Sequence, residues 1–493
     1  MLIDAMYDVI TITMALLAKR CVLFFFGTLS RVFYGRNSGV TINNLLEDVL
    51  LEVFDAYRRD IELLPRYENI WNSRDGWFKL AHVCTRWRRL VFLSPTRLHV
   101  HLLFTPRRSS RVIMLKQLPP FPILVDYHAA SWTERIEDLA LAALRPRNRV
   151  RGISLRRPTM DTVKLLRSLN RPFPELESVD ISPPGHGQLI LPANFLSDSL
   201  PRLRRLTLRG VVPSCLSPLL SLTTGLVELN LTLNIMFDLV PLSEYSLLPI
   251  LQRLSCLRRL YLDYDSFRTN PPAPAGEEVV VPLPKLTHFI FRGHRLYLEA
   301  LTVGLVAPSL QHLDAELSGQ SNSAFPILRL CKFICNSECQ FTTIRLGFSD
   351  LKLKFYAGTS SESIDDQPFR IIVPGLDSLE QMGQELSASF STVEELIITL
   401  GPFFLPNKAD QLRGFFYHVP RVKIMQISAW EAESVARSFQ KDGQEPAMDL
   451  LPALEQIKVD MGHQEWGKTT RGAFEPLIAA WKRVGRSIIV SWI

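Results

Sequence analysis

Cysteine is scarce in this chain, with seven in 493 residues. An odd, sparse set argues against a secreted disulfide framework and for a reducing compartment, cytoplasmic or nuclear. No uninterrupted apolar run reaches the roughly 20 residues that a membrane-spanning helix needs. The most apolar stretch, residues 1–40, is broken by Lys19 and Arg20. Those charges would sit at mid-span, and Asp4 and Asp8 stand where a secretory signal carries positive charge. Residues 1–40 therefore read as an apolar N-terminal extension, with membrane attachment not expected. Neither a G-x-S-x-G elbow nor an H-E-x-x-H helix occurs, and no phosphate loop, cofactor, metal or catalytic residue is expected. Wholesale disorder is excluded too, because 47% of residues are hydrophobic and only 21% charged.

Charge is present but unevenly spread. Lys and Arg number 56 against 49 Asp and Glu, a net of +7. That total is too modest to mark a nucleic-acid binder of this length. Residues 97–209, however, hold 19 basic and 9 acidic side chains. The densest part runs Arg145, Arg147, Arg149, Arg151, Arg156 and Arg157, with Arg107 and Arg108 upstream. Arginine forks of this kind suit an acidic or phosphorylated motif, whereas interleaved aromatics for base stacking are missing, so a solvated rim is the plain alternative.

Two helical segments occupy residues 43–95. Asn44 followed by Glu47 has the form of a capping box, and Val49, Leu50, Val53, Phe54 and Tyr57 recur at helical spacing. After a polar loop, the apolar positions from Trp77 through Trp87 to Phe92 predict a second amphipathic helix, closed by Ser94-Pro95. About fifty residues are too few to bury a sufficient core alone, so apolar surface is left for a partner.

From Val150 onward a short pattern recurs: an apolar anchor, two residues, an apolar residue, one residue, another apolar. Examples are Leu203-x-x-Leu206-x-Leu208, Leu257-x-x-Leu260-x-Leu262 and Leu454-x-x-Ile457-x-Val459. Successive anchors lie 26, 27, 23, 31, 29, 24, 31, 52, 29 and 32 residues apart. The 52-residue interval, twice 26, is expected to hide one degenerate unit with Phe369–Val373 as its strand. Helical segments fall between the strands. One strand and one helix per unit is the arithmetic of leucine-rich repeats, with parallel strands concave and helices convex. An ordinary α/β domain with a closed parallel sheet is the competing reading.

The front segment resembles the F-box of a large group of fungal proteins. Leu45 through Phe54 matches the first half of their pattern, and Val83-Cys84-Thr85-Arg86-Trp87-Arg88-Arg89-Leu90-Val91 through Ser94-Pro95 the second. Leu46 stands where the family usually has proline. The resemblance implies an α/β chain with three parts: the extension 1–40, an all-α F-box at 41–105, and an irregular leucine-rich-repeat region at 106–493. It implies a non-enzymatic substrate-recognition subunit of a Skp–cullin–F-box-type ubiquitin ligase, docked on the Skp adaptor of a cullin–RING ligase. Leu45, Leu46, Val49, Leu50, Val53, Phe54 and Trp87 are then the adaptor interface or its support.

Within each strand pattern the apolar residues point to the core and the intervening ones to the other face. Arg205, Arg209, Arg259, Tyr261, His288, Arg292, His312 and Asp314 are therefore expected to meet an unknown target protein, an acidic or phosphorylated one being an open reading; nucleic acid is not expected. Two other readings stay open: a non-ligase repeat scaffold capped by the front helices, and an anionic-ligand or nucleic-acid binder using residues 97–209. Cys331, Cys335 and Cys339, spaced by four, read as small apolar residues rather than metal ligands, and His99 and His101 as packing or surface.

Overall fold

A computed structural model describes residues 45–63, 76–94, 102–105, 120–128, 133–156, 163–183, 191, 195–196, 200–211, 220, 223–233, 247–264, 280–318, 328–335, 337, 341–349, 352–358, 368–374, 379–400, 409–441, 445–446, 449–461 and 467–493. Its packing divides the chain into two compact units, residues 1–127 with 138–152 and residues 128–137 with 153–493. Among the described residues no helix is long and apolar enough to cross a membrane. The N-terminal extension, Arg107, Arg108, Arg157, His99, His101 and Cys339 lie outside the described residues.

In the first unit, α1 (Glu47–Leu63) places Glu47 and Asp48 in its first turn, where the helix dipole favours carboxylates. The stretch expected as one helix from Trp77 to Phe92 is instead two, α2 (Gly76–Val83) and α3 (Thr85–Leu93). Cys84 breaks them: its backbone is extended (φ −158°, ψ 172°) and its sulfur accepts the Trp87 amide at 3.5 Å. Apolar periodicity reads through this break because Leu80 and Ala81 before it and Trp87, Leu90 and Val91 after it are all buried. Leu50 and Phe54 complete that core, with the Phe54 ring 4.7 Å from Trp87. Each such side chain contributes about 1.5–3 kcal/mol on burial. Two strands follow, β1 (Leu102–Phe104) and β2 (Ile123–His128), paired in parallel from Leu102 opposite Ile123. Phe92 of α3 meets Phe121 edge-on at 5.3 Å, and the Arg149 guanidinium donates to the Phe121 carbonyl at 3.0 Å.

Helix α4 (Glu134–Leu144) and strand β3 (Val150–Arg156) are divided between the units. The second unit continues with α5 (Val163–Ser168), β4 (Ser178–Ser182), β5 (Arg205–Val211), β6 (Glu228–Leu233), α6 (Leu247–Leu251) and β7 (Arg259–Tyr264). Next come β8 (Val281–Pro282), β9 (His288–His294), α7 (Arg295–Gly304), β10 (Leu305–Val306), β11 (His312–Ser318) and α8 (Leu328–Cys335). Then follow β12 (Thr343–Ser349), β13 (Lys352–Gly358), β14 (Phe369–Pro374), α9 (Leu379–Glu385), β15 (Glu395–Leu400), α10 (Ala409–Phe416), β16 (Ile424–Ser428) and α11 (Ala432–Ser438). Last are β17 (Gln440–Lys441), β18 (Glu445–Pro446), β19 (Gln456–Asp460), α12 (Gly467–Arg483) and β20 (Ile489–Trp492).

This unit is built on a large, mostly parallel sheet in the order β4-β5-β6-β7-β9-β11-β14-β13-β12-β15-β16-β19-β20. The α/β class expected from the strand and helix cadence is what the chain adopts. Burial alternates along each strand with the period of two that a pleat imposes: in β6, Leu229, Leu231 and Leu233 are buried while Glu228, Asn230 and Thr232 are half-exposed. Helices α7 to α12 pack each against the next, and they lie on the apolar side, as the contact of Phe289 in β9 with Phe333 in α8 illustrates (5.9 Å). The opposite face of the sheet carries the polar residues.

A backbone device repeats from unit to unit. The anchor amide closes a turn onto the carbonyl three residues earlier, as Leu203 does to Leu200, Leu226 to Thr223, Leu257 to Leu254 and Leu286 to Leu283. The next two amides then converge on one carbonyl of the preceding unit: Arg204 and Arg205 on Glu177, Val227 and Glu228 on Arg204, Arg258 and Arg259 on Val227. Buried backbone groups are thereby satisfied without a side-chain turn residue.

The 52-residue interval does not hold a degenerate repeat in sequence. From β11 the chain passes to β12, returns through antiparallel β13, and only then forms β14 beside β11. Strand β12 pairs in parallel with β15 on its other side. The predicted strand at Phe369–Val373 exists and is buried, but it closes a three-stranded antiparallel insertion. The physical reason lies in Leu353, Phe355 and Ala357 of β13, whose alternation supplies a further buried apolar edge between β12 and β14.

Gly293 in β9 has φ +145°, and a β-carbon there would lie 2.8 Å from Cβ of Tyr264. Tyr264 is itself fixed by Phe291 (5.5 Å) and by stacking on Tyr297 (4.8 Å, 7°). Gly293→Ala is expected to cost about 2 kcal/mol or more through backbone strain and overlap. A lowered urea midpoint with unchanged far-ultraviolet circular dichroism in buffer would check this; an unchanged midpoint would contradict it.

Candidate functional site

Pairing in register turns the uncovered face of the second unit into rows. One row runs Ser178, Arg205, Glu228, Arg259, His288 and His312 across β4 to β11. The next runs Asp180, Thr207, Asn230, Tyr261, Ile290, Asp314 and Arg370, and passes on to Tyr356 and Arg345. A third brings Thr232, Asp263, Arg292 and Glu316 together. All eight residues expected to face a target thus lie on one face, Arg205, Arg209, Arg259, Arg292 and His312 exposed and Tyr261, His288 and Asp314 half-exposed.

Most of the carboxylates on this face are engaged. Arg259 pairs with Glu228 at 2.6 Å, Arg156 with Asp180 at 2.8 Å, Arg370 with Asp314 at 3.4 Å and Lys352 with Glu316 at 3.6 Å. The Tyr261 hydroxyl donates to Asp263 at 3.2 Å, and the Arg292 guanidinium lies 5.8 Å from the Tyr261 ring centre. Burial, then Asp263, raises the Tyr261 phenol. His288 and His312 stack at 4.3 Å and 19°, and Thr287 Oγ1 lies 2.9 Å from His288 Nδ1. Burial, then His312 and Arg259, hold the His288 imidazole below its ordinary range. Burial raises the Asp314 carboxyl, opposed by Arg370 and Arg292.

The basic stretch that stands out in sequence is placed differently. Arg149 is turned onto the Phe121 carbonyl and partly buried, which lowers its basicity, and Arg156 is spent on Asp180. Cys331 is buried, which raises its thiol, whereas Cys335 is exposed and bonded to the Glu385 carbonyl at 3.4 Å. Among the described residues no group of three side chains could hold a metal ion.

In the first unit the seven front residues separate into two sets. Leu50, Phe54 and Trp87 are core; Leu46 is 75% and Val49 43% exposed, with Leu45 and Val53 between. Val83 and Leu93 are exposed as well. Arg86 donates to the Leu45 carbonyl at 2.5 Å and Arg89 lies 3.4 Å from Glu47, tying the start of α1 to α3.

Two features escape the sequence pattern. Arg370 and Lys354 join the polar face only because β13 and β14 enter the sheet; the alternation of Lys352 and Lys354 with Leu353 and Phe355 is the signal that could have found them. The expectation of no phosphate loop also needs correction, because Gly462-His463-Gln464-Glu465-Trp466-Gly467-Lys468-Thr469 fits the G-x-x-x-x-G-K-[ST] spacing between β19 and α12. Residues 462–466 lie outside the described ones. Beside β19, Glu431, just after β16, accepts the amide and hydroxyl of Ser428. In comparison with known proteins, the chain matches no family model and no curated protein.

Arg370→Met strips Asp314 of its ion pair and is expected to cost about 1 kcal/mol near neutral pH. Since burial already favours the protonated Asp314, acidification neutralises it and the deficit shrinks. Melting temperatures of variant and wild type should therefore converge on acidification; a constant difference would count against the pairing.

Proposed function

We propose that the chain is the substrate-recognition subunit of a Skp–cullin–F-box-type ubiquitin ligase. In this reading α1 to α3 form the F-box and dock on the Skp adaptor. The parallel strand units are divergent leucine-rich repeats, and their uncovered polar face holds the target protein. The chain makes and breaks no bond; it raises the effective concentration of two bound partners. Such a subunit works in the cytoplasm or nucleus, in line with the sparse cysteines.

The observation that carries the reading is the partition of the front helices. A compact apolar core of Leu50, Phe54, Trp87 and Leu90 supports an outer layer in which Leu46, Val49, Val83 and Leu93 are left to solvent. Large apolar side chains at such density are expensive to expose unless a partner covers them. The Cys-x-x-Trp-Arg signature gains a structural reason, since Cys84 caps α3, Trp87 fills the core and Arg88 donates to the Ala81 carbonyl at 3.0 Å. Leu46, where the resembled family carries proline, is at the surface, so the departure bears on partner contact and not on the core.

Leu46→Asp with Val49→Asp should reduce co-purification with the Skp adaptor more than tenfold while the melting temperature stays within a few degrees. Leu50→Asp, in contrast, should unfold the helices by burying an unpaired charge. An intact chain that fails to bind the adaptor, or a double variant that binds unchanged, would refute the assignment.

A further inference from the structure

We propose that the uncovered sheet face from β5 to β11 binds an extended, carboxylate-rich segment of a partner protein, and that protonation at the His288–His312 pair tightens the complex. The inference rests on reading this face as the target-binding surface, and it adds the chemistry of the target.

Charge complementarity carries it. The acids of this face are already answered: Glu228 by Arg259, Asp314 by Arg370, Glu316 by Lys352 and Asp263 by the Tyr261 hydroxyl. Arg205, Arg209 and Arg292 have no carboxylate in salt-bridge contact among the described residues, and the first two are exposed at opposite ends of the outward side of β5. The unsatisfied charge of the face is therefore positive. Arginines held on a rigid sheet lose little freedom on pairing with carboxylates, which they can grip in bidentate fashion.

Nucleic acid fits less well. Glu228 stands between Arg205 and Arg259 in one row, and Asp263 between Tyr264 and Leu262 places another carboxylate beside Arg292. A continuous polyphosphate would meet these acids, whereas a peptide presents discrete carboxylates that can avoid them. Tyr261, which could have stacked on a base, is already covered by Arg292.

The histidines link binding to protons. Around His288, β7 supplies Arg259 and Tyr261, β6 supplies Glu228, and β11 supplies His312 and Asp314. In the free chain, burial, the stacked His312 and Arg259 all oppose a proton on His288, and the charge of Glu228 favours it. A carboxylate delivered by the partner reverses that balance. Protonation and binding then reinforce each other, so affinity rises as pH falls.

The test is fluorescence anisotropy of the full chain with a labelled oligo-glutamate peptide of about 12 residues, compared with the oligo-glutamine analogue and with single-stranded RNA of equal charge. The glutamate peptide should bind, the glutamine peptide should not, and RNA should bind more weakly. Arg205→Ala with Arg209→Ala and Arg292→Ala should weaken glutamate binding at least tenfold without lowering the melting temperature. Affinity should rise about fivefold from about pH 7.5 to about pH 5.5, and His288→Gln with His312→Gln should remove that rise while sparing affinity at the higher pH. Stronger RNA binding, an unaffected arginine variant or a flat wild-type pH profile would each overturn the proposal. Adaptor capture by α1 to α3 is measured separately: its loss alongside intact peptide binding sinks the ligase reading only, and the converse sinks this one only.

Discussion

Every property of the second unit depends on how one strand sets the start of the next. Two consecutive amides meeting on a single carbonyl of the preceding unit leave no freedom to slide. A slip of one residue would also turn each Leu-x-x-Leu-x-Leu inside out, sending Leu206 and Leu208 to water and Arg205 and Arg209 against the helices. Hydrogen bonding and hydrophobic burial therefore specify the same register. In-register parallel pairing then has a consequence for chemistry: residues about 30 positions apart in sequence become neighbours at the spacing of adjacent strands, about 4.8 Å. The rows of ionisable side chains on the uncovered face are a product of backbone geometry.

The antiparallel insertion tests that logic. It interrupts the order of the strands but respects the alternation of faces, because Lys352, Lys354 and Tyr356 oppose Leu353, Phe355 and Ala357. Arg370 thereby reaches Asp314 of a strand 56 residues earlier, and their pairing is possible only because β14 and not β12 lies beside β11. The inserted strands keep the polar face continuous across the interruption. In the first unit the same division of labour is achieved with helices, where one set of apolar residues makes the interior and a second remains outside.

Much of this was legible in the sequence, and the limits have physical causes. The anchors announced themselves because a parallel unit needs apolar residues at fixed offsets, and so the faces of Arg205, Arg259, His288 and His312 followed. Helices fall between the strands as the cadence requires, as at Arg295–Gly304 and Ala409–Phe416. The break at Cys84 was not legible, since an extended cap residue leaves hydrophobic periodicity undisturbed on both sides. Nor was the path through β12, β13 and β14, because an interval of twice the repeat length is compatible with a missing unit or with a hairpin. Periodicity reports which residues are buried; it does not report which strands are neighbours.

Charge illustrates the difference between clustering along a chain and clustering in space. The arginines of residues 145–156 are dense in sequence, yet Arg149 serves the Phe121 carbonyl and Arg156 serves Asp180. An arginine bonded in this way is a structural element, and neighbouring arginines on one segment compete for a single region of solvent. Arg205, Arg209 and Arg292 are dispersed in sequence and stand among paired acids that cancel most of the surrounding field. What remains available to a partner is the charge left over after internal pairing, and that residue of charge can be located only once the register of the strands is known.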